Sequence, residues 1–119
     1  MNSILQNKKL STLHIIRSNV NDAMVNVIAN HPNVTILDLV DNNIHDAGAL
    51  ALAKNSYEYL DVRFNHIGKA GLEALISNPV IKELLYYGND GDDANLVSKD
   101  KQTPHQWINN IIKHQTNKS

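Results

Sequence analysis

The chain contains no cysteine, which excludes disulfide stapling, thiolate zinc sites and cysteine nucleophiles together. Aromatic residues are scarce, with one Trp, four Tyr and one Phe, and no apolar run is long enough to cross a bilayer. Neither sign of charge dominates. Eleven Lys and Arg against twelve Asp and Glu leave a net charge of -1, which speaks against a strongly basic nucleic-acid binder. The glycine spacing of a phosphate-binding loop is missing. Six histidines, at 14, 31, 45, 66, 105 and 114, show no metal-ligand spacing, and Asp90-Gly91-Asp92-Asp93 lacks the alternating ligands and closing glutamate of a calcium loop. No cofactor and no metal is therefore expected. Residues 1–9 include Ile4 and Leu5 but no apolar stretch leading to a small-residue cleavage site, so the chain reads as cytoplasmic or as exported without a conventional signal peptide.

What the chain does have is internal repetition. Its 119 residues allow one domain or a short array of repeats. When Leu13, Leu37, Leu60 and Leu84 are set in one column, the spacings are 24, 23 and 24 residues. Two residues later stand Ile15, Leu39, Val62 and Tyr86, and three residues earlier Leu10, Val34, Tyr57 and Ile81. Ser18, Asn42, Asn65 and Asn89 occupy the fifth position after the leucine, and Val20, Ile44, Ile67 and Gly91 the seventh. Alanine fills the tenth position in every copy, as Ala23, Ala47, Ala70 and Ala94. Pro32, Asn55 and Pro79 each lie five residues before the next leucine. These columns predict four units, 10–33, 34–56, 57–80 and 81–98, between an amino-terminal segment 1–9 and a carboxy-terminal segment 99–119.

In each unit the alternation around the leucine predicts a short strand with Leu37 and Leu39 inward and Ile36, Asp38 and Val40 outward. An asparagine at the strand exit both donates and accepts, so Asn42, Asn65 and Asn89 are expected to stack as a ladder bonded to turn backbone. The second half of the unit reads as a helix. Asp46 is its expected N-cap, and Ala49, Leu52 and Ala53, then Leu72, Leu75 and Ile76, form its apolar stripe. Gly48 and Gly71 each cost about 1 kcal/mol of helix propensity relative to alanine, which predicts close packing of helix on strand. Such units cannot bury both faces alone, so the array itself is the domain.

The pattern L-x-x-L-x-L-x-x-N-x-I, carried by Val34, Leu37, Leu39, Asn42 and Ile44 and again by Tyr57, Leu60, Val62, Asn65 and Ile67, resembles the leucine-rich repeat proteins. The helical half resembles the ribonuclease-inhibitor type, and Gly48-Ala49-Leu50-Ala51-Leu52-Ala53 resembles the short GALA subclass, with Gly71-Leu72-Glu73-Ala74-Leu75-Ile76 as a looser copy. The resemblance implies an α/β solenoid with parallel strands on the concave face and short helices on the convex face. It also implies, for the GALA subclass, a bacterial effector delivered into a host cell to bind a host protein.

Beyond the repeats, Thr103-Pro104 is a helix start signal, and Trp107, Ile108, Ile111 and Ile112 form one stripe, which predicts a helix over 104–114. It reads either as a cap on the last unit or as a helix docking into a partner. An open strand edge near residues 10–15 would allow self-association. Charge is unevenly placed: residues 1–17 and 99–119 each carry +3, leaving -7 for the body between them.

The strand face holds the candidate functional residues. Its columns are His14, Asp38, Asp61 and Leu85; Ile16, Val40, Arg63 and Tyr87; Arg17, Asp41, Phe64 and Gly88; and Thr12, Ile36, Tyr59 and Glu83. Asp38 and Asp61 beside a histidine fit an acid and base pair, but Arg63 can neutralise them, so no catalytic residue is expected. Apolar and aromatic side chains beside an arginine have the composition of interface hot spots. The expected function is non-catalytic binding of a partner protein through Ile16, Asp38, Val40, Tyr59, Asp61, Arg63, Phe64, Leu85 and Tyr87. The alternatives are a self-associating structural module and, behind it, an enzyme using Asp38 and Asp61.

Overall fold

The computed structural model describes residues 9–91. Four short strands alternate with three helices in the order β1 (Thr12–His14), α1 (Asp22–Ala29), β2 (Ile36–Asp38), α2 (Asp46–Leu52), β3 (Tyr59–Asp61), α3 (Lys69–Ile76) and β4 (Leu84–Leu85). The strands form one parallel sheet in chain order, and Leu13 pairs with Leu37, Leu37 with Leu60, and Leu60 with Leu84. The leucine column of the sequence is thus a physical row across the sheet. Helices pack in the same order, α1 on α2 and α2 on α3. The predicted helix over 104–114, with Trp107, lies outside the described residues, as do residues 1–8 and the end of the fourth unit.

Each strand is only two or three residues long and each helix seven or eight, too short to persist alone in water. Stacking supplies what length does not. Leu37, Leu39, Leu60, Val62, Leu84, Ile44 and Ile67 are fully buried between the layers, joined by Val25, Ile28, Leu52, Leu72 and Leu75 from the helices. At roughly 25 cal/mol per Å² of apolar surface, each such side chain contributes about 2 kcal/mol, so the core is shared along the stack.

Three ladders of side chains tie the units together. The first is the expected asparagine ladder. Asn65 donates from Nδ2 to the carbonyls of Leu39, Val62 and Arg63 at 2.9, 3.0 and 3.2 Å, and its Oδ1 accepts from the Ile44 amide at 3.1 Å. Asn42 and Asn89 make the equivalent bonds. All three amides are buried, so each one satisfies backbone groups that water cannot reach.

The second ladder differs from the expectation. Asp46 is the first residue of α2, whose N-cap is His45, and its carboxylate does not cap its own helix. It reaches into the next unit instead, accepting from the amides of Gly68 and Gly71 at 2.7 and 3.2 Å. Asp22 does the same for the His45 amide at 2.8 Å. Gly48 and Gly71 are small for that reason: an added Cβ would stand 2.5 and 2.6 Å from the Asp22 and Asp46 Oδ1 atoms, and 2.8 and 2.6 Å from Ile44 and Ile67 Cγ2. The close neighbours are the preceding unit's aspartate and the isoleucine of the turn, where the sequence pointed to the strand. Among the described helices only α1 has a local side-chain cap, Asn21 Oδ1 accepting from the Met24 amide.

The third ladder closes the helix ends. Asn55 Nδ2 donates to the Ala29 carbonyl and Asn78 Nδ2 to the Ala53 carbonyl, both at 2.6 Å. Asn55 is therefore the counterpart of Asn78. The column that aligned it with Pro32 and Pro79 is corrected by one residue, because the 23-residue unit is shortened between its helix and the following strand.

Candidate functional site

The strand face is built by the outward residues of β1 to β4. Thr12, Ile36 and Tyr59 stand in one row and His14, Asp38, Asp61 and Leu85 in the next, as the repeat spacing requires. Past the strands the rows continue as Ile16, Val40, Arg63 and Tyr87, still joined by backbone bonds from Arg17 to Val40, Asp41 to Arg63 and Phe64 to Tyr87. At the following row the backbone turns left-handed in every unit: φ is 52° at Arg17, 59° at Asp41, 57° at Phe64 and 87° at Gly88. Only glycine adopts this conformation without penalty, and other residues are strained by about 1–2 kcal/mol. The glycine in the fourth copy of this column was the clearest sequence signal for that geometry, with Asp41 a weaker one.

The centre of the face is an ion pair closed on itself. Asp61 has a side chain only 1% exposed, and both of its oxygens are engaged. Arg63 donates to it from Nε at 2.9 and 3.1 Å and from Nη2 at 2.7 Å, the Arg63 amide at 3.1 Å, and the Tyr59 hydroxyl at 3.1 Å. Asp38, one strand away, accepts from the Val40 amide at 3.2 Å and lies 3.2 Å from His14 Nδ1. Burial, the Asp61 charge and its hydrogen bond, and the Asp38 charge together push the Tyr59 phenol up to about 12. The bond to Asp61 likewise raises the Arg63 guanidinium, which stays charged. An aspartate with every lone pair occupied and no access to water is held as a structural counter-ion, so Asp38 and Asp61 do not form an open acid and base pair.

Beside this pair lies an aromatic contact. Phe64 and Tyr87 meet edge to face with centroids 5.8 Å apart, and the Phe64 ring lies over Gly88, where a Cβ would stand 2.5 Å from Cδ1. Phe64 is 43% exposed and Ile16 49%. The remaining members of the predicted set are distributed by depth. Val40, Tyr59, Arg63, Tyr87 and Asp38 are half-buried, whereas Asp61 and Leu85 are buried. The structure thus brings Tyr59, Asp61, Arg63, Phe64 and Tyr87 together across β3 and the start of the fourth unit, with Ile16 two units away.

Elsewhere, His45 and His66 stack with centroids 5.5 Å apart, and His66 Nδ1 lies 3.6 Å from Asp90. Among the described residues no group of three or more His, Asp or Glu is placed to hold a metal ion. No helix among them is long and apolar enough to cross a membrane.

Residues 30–53 and 58–76 match a family model described as Leucine Rich repeat. These segments are leucine-rich repeats. They overlap the parts of the chain that carry the fullest pattern, and the parallel sheet and stacked helices are consistent with a leucine-rich repeat solenoid. A search of curated proteins found none that matches the chain. Leucine-rich repeats generally mediate protein–protein interaction.

Proposed function

We propose that this leucine-rich repeat domain binds a partner protein, without catalysis, through the strand face centred on Tyr59, Arg63, Phe64 and Tyr87. The observation that carries the reading is Phe64. Its ring is open to solvent, braced by Tyr87 and Gly88, and set on a left-handed backbone that glycine would adopt more cheaply. The left-handed turn recurs in every unit, but Phe64 is the one position of that column that presents a large apolar side chain, 43% exposed, and such area on a strand face suits a contact outside the chain. The GALA-like helices extend the proposal to a bacterial effector whose partner is a host protein.

Affinity capture from a host-cell lysate, with wild type beside Phe64→Glu and Tyr87→Glu, tests this. Both variants are expected to keep the circular dichroism and melting behaviour of wild type while losing the captured protein. Capture that persists in both variants places the contact elsewhere. Sedimentation of wild type alone addresses self-association: a mass that grows with concentration would favour pairing between copies of the chain.

A further inference from the structure

We infer that the first unit is a built end stop: Asn21 and Met24 bar another leucine-rich unit, whether joined to this chain or carried by a second copy, from stacking ahead of it in the register that links units one to three. Units two and three borrow a helix cap from the unit before. Asp22 accepts from the His45 amide, and Asp46 accepts from the amides of Gly68 and Gly71, while neither His45 nor Gly68 caps its own helix with a side chain. The first unit borrows nothing. Met24 stands in the column of Gly48 and Gly71, yet its amide donates to Oδ1 of its own Asn21 at 3.0 Å. The amide that a preceding aspartate would seek there is already taken.

Space is closed as well as bonding. At Gly71 the point where a Cβ would stand lies 2.6 Å from Asp46 Oδ1 and 3.0 Å from Ala49 Cβ, both in the preceding unit. At Gly48 it lies 2.5 Å from Asp22 Oδ1. A carboxylate can swing aside, but a Cβ on a packed helix cannot. Met24 sets a Cβ and a longer chain at this position, and it is 39% exposed where the helix of an earlier unit would pack. At the other end the aspartate column reads Asp22, Asp46, Lys69, so the relay of caps stops at the third unit. Faces that stack head to tail without closing build open filaments unless something halts them. Asn21 and Met24 supply the halt at the amino-terminal face.

The test adds one unit to the full chain at either of two places. A copy of residues 34–56 inserted between 56 and 57 sets its glycine against the aspartate of the second unit. The same copy inserted between 9 and 10 brings its aspartate against Met24. The internal copy is expected to dock, its amides protected from hydrogen exchange and the denaturant m-value raised by about a quarter as four units become five. The front copy is expected to stay unprotected with the m-value unchanged, in wild type and equally in Met24→Ala, which keeps a Cβ. In the double variant Asn21→His, Met24→Gly, the first unit carries the residues of the second, and the front copy is expected to become protected. A front copy protected in wild type or in Met24→Ala, or one left unprotected in the folded double variant, would overturn the inference. So would an internal copy that fails to dock, because the units would then not stack interchangeably. Should the double variant not fold, the two insertions in wild type and the front insertion in Met24→Ala decide alone.

Discussion

The Asp46 carboxylate sits 2.7 Å from the Gly68 amide and 3.2 Å from that of Gly71, so one unit's aspartate caps the next unit's helix. A Cβ on Gly71 would come within 2.6 Å of the same oxygen and of Ile67 Cγ2. Gly71→Ala is therefore expected to destabilise by about 1–3 kcal/mol although alanine is the better helix former. Asp46→Ala is expected to cost about 1 kcal/mol for the lost cap. In the double variant the two costs should sum to less than their total, because the oxygen that meets the new methyl is gone. Denaturant unfolding of the four proteins measures this, and strict additivity would mean that Ile67 and Ala49, not the carboxylate, demand the glycine.

Asn65, at the centre of the stack, satisfies three carbonyls and one backbone amide with a buried side chain. Asn65→Ala leaves these groups without partners and is expected to cost about 3 kcal/mol or more. Asn65→Asp keeps the acceptor for Ile44 but turns an oxygen toward the three carbonyls. Its folded pKa must rise above the unfolded value of about 3.9, since only the protonated acid can donate to them. The stability of this variant relative to wild type is then greatest below that value and falls as pH rises toward neutrality. Unfolding free energies at acid and neutral pH measure the trend; a gap from wild type that does not widen with pH refutes it.

Strand register was legible in the residues because the leucines at 13, 37, 60 and 84 leave only one alignment that keeps every inward position apolar, and a slip of one residue would expose all of them. The asparagine ladder followed from the same column. Three features were not legible, for distinct physical reasons. The partner of Asp46 depends on which of two helix starts its short side chain reaches, a choice made by stacking and not by local sequence. The left-handed turn is occupied by Arg17, Asp41 and Phe64, of which only Asp41 is a type that tolerates such a conformation, so Gly88 and Asp41 were the only hints of it. The depth of Asp61 is set by how Arg63 and Tyr59 fold over it, so a row that reads as uniformly exposed runs from the open His14 to the buried Asp61 and Leu85.

Two arginine and aspartate pairs on the same face should respond very differently to truncation. Arg17 and Asp41 have side chains 84% and 46% exposed, so Arg17→Ala is expected to change stability by less than about 1 kcal/mol. Among the described residues Arg63 is the cation bridged to the Asp61 carboxylate, and Arg63→Ala is expected to cost about 3–5 kcal/mol by leaving a buried charge unpaired. Thermal or denaturant melts of the two variants compare them directly. Equal effects would show that Asp61 finds solvent once Arg63 is removed.

Tyr59 offers a readout of the same cluster at high pH. Its phenol is pushed from an ordinary 10.0 up to about 12, by burial first and then by the charge and hydrogen bond of Asp61 and the charge of Asp38. Between these two values the unfolded chain has lost the phenolic proton and the folded chain has kept it. The folded state then binds more protons, so stability falls as pH rises through this window, having been fully present below pH 10. Tyr57, pushed up by burial, contributes in the same direction. Tyr59→Phe removes only its own share, so wild type is expected to lose more stability than the variant between pH 10 and 12. Tyrosinate absorbance of the folded protein should show one more late-titrating tyrosine in wild type than in Tyr59→Phe, which keeps Tyr57. Parallel stability curves for the two proteins would mean that the hydroxyl of Tyr59 is not held by Asp61 in solution.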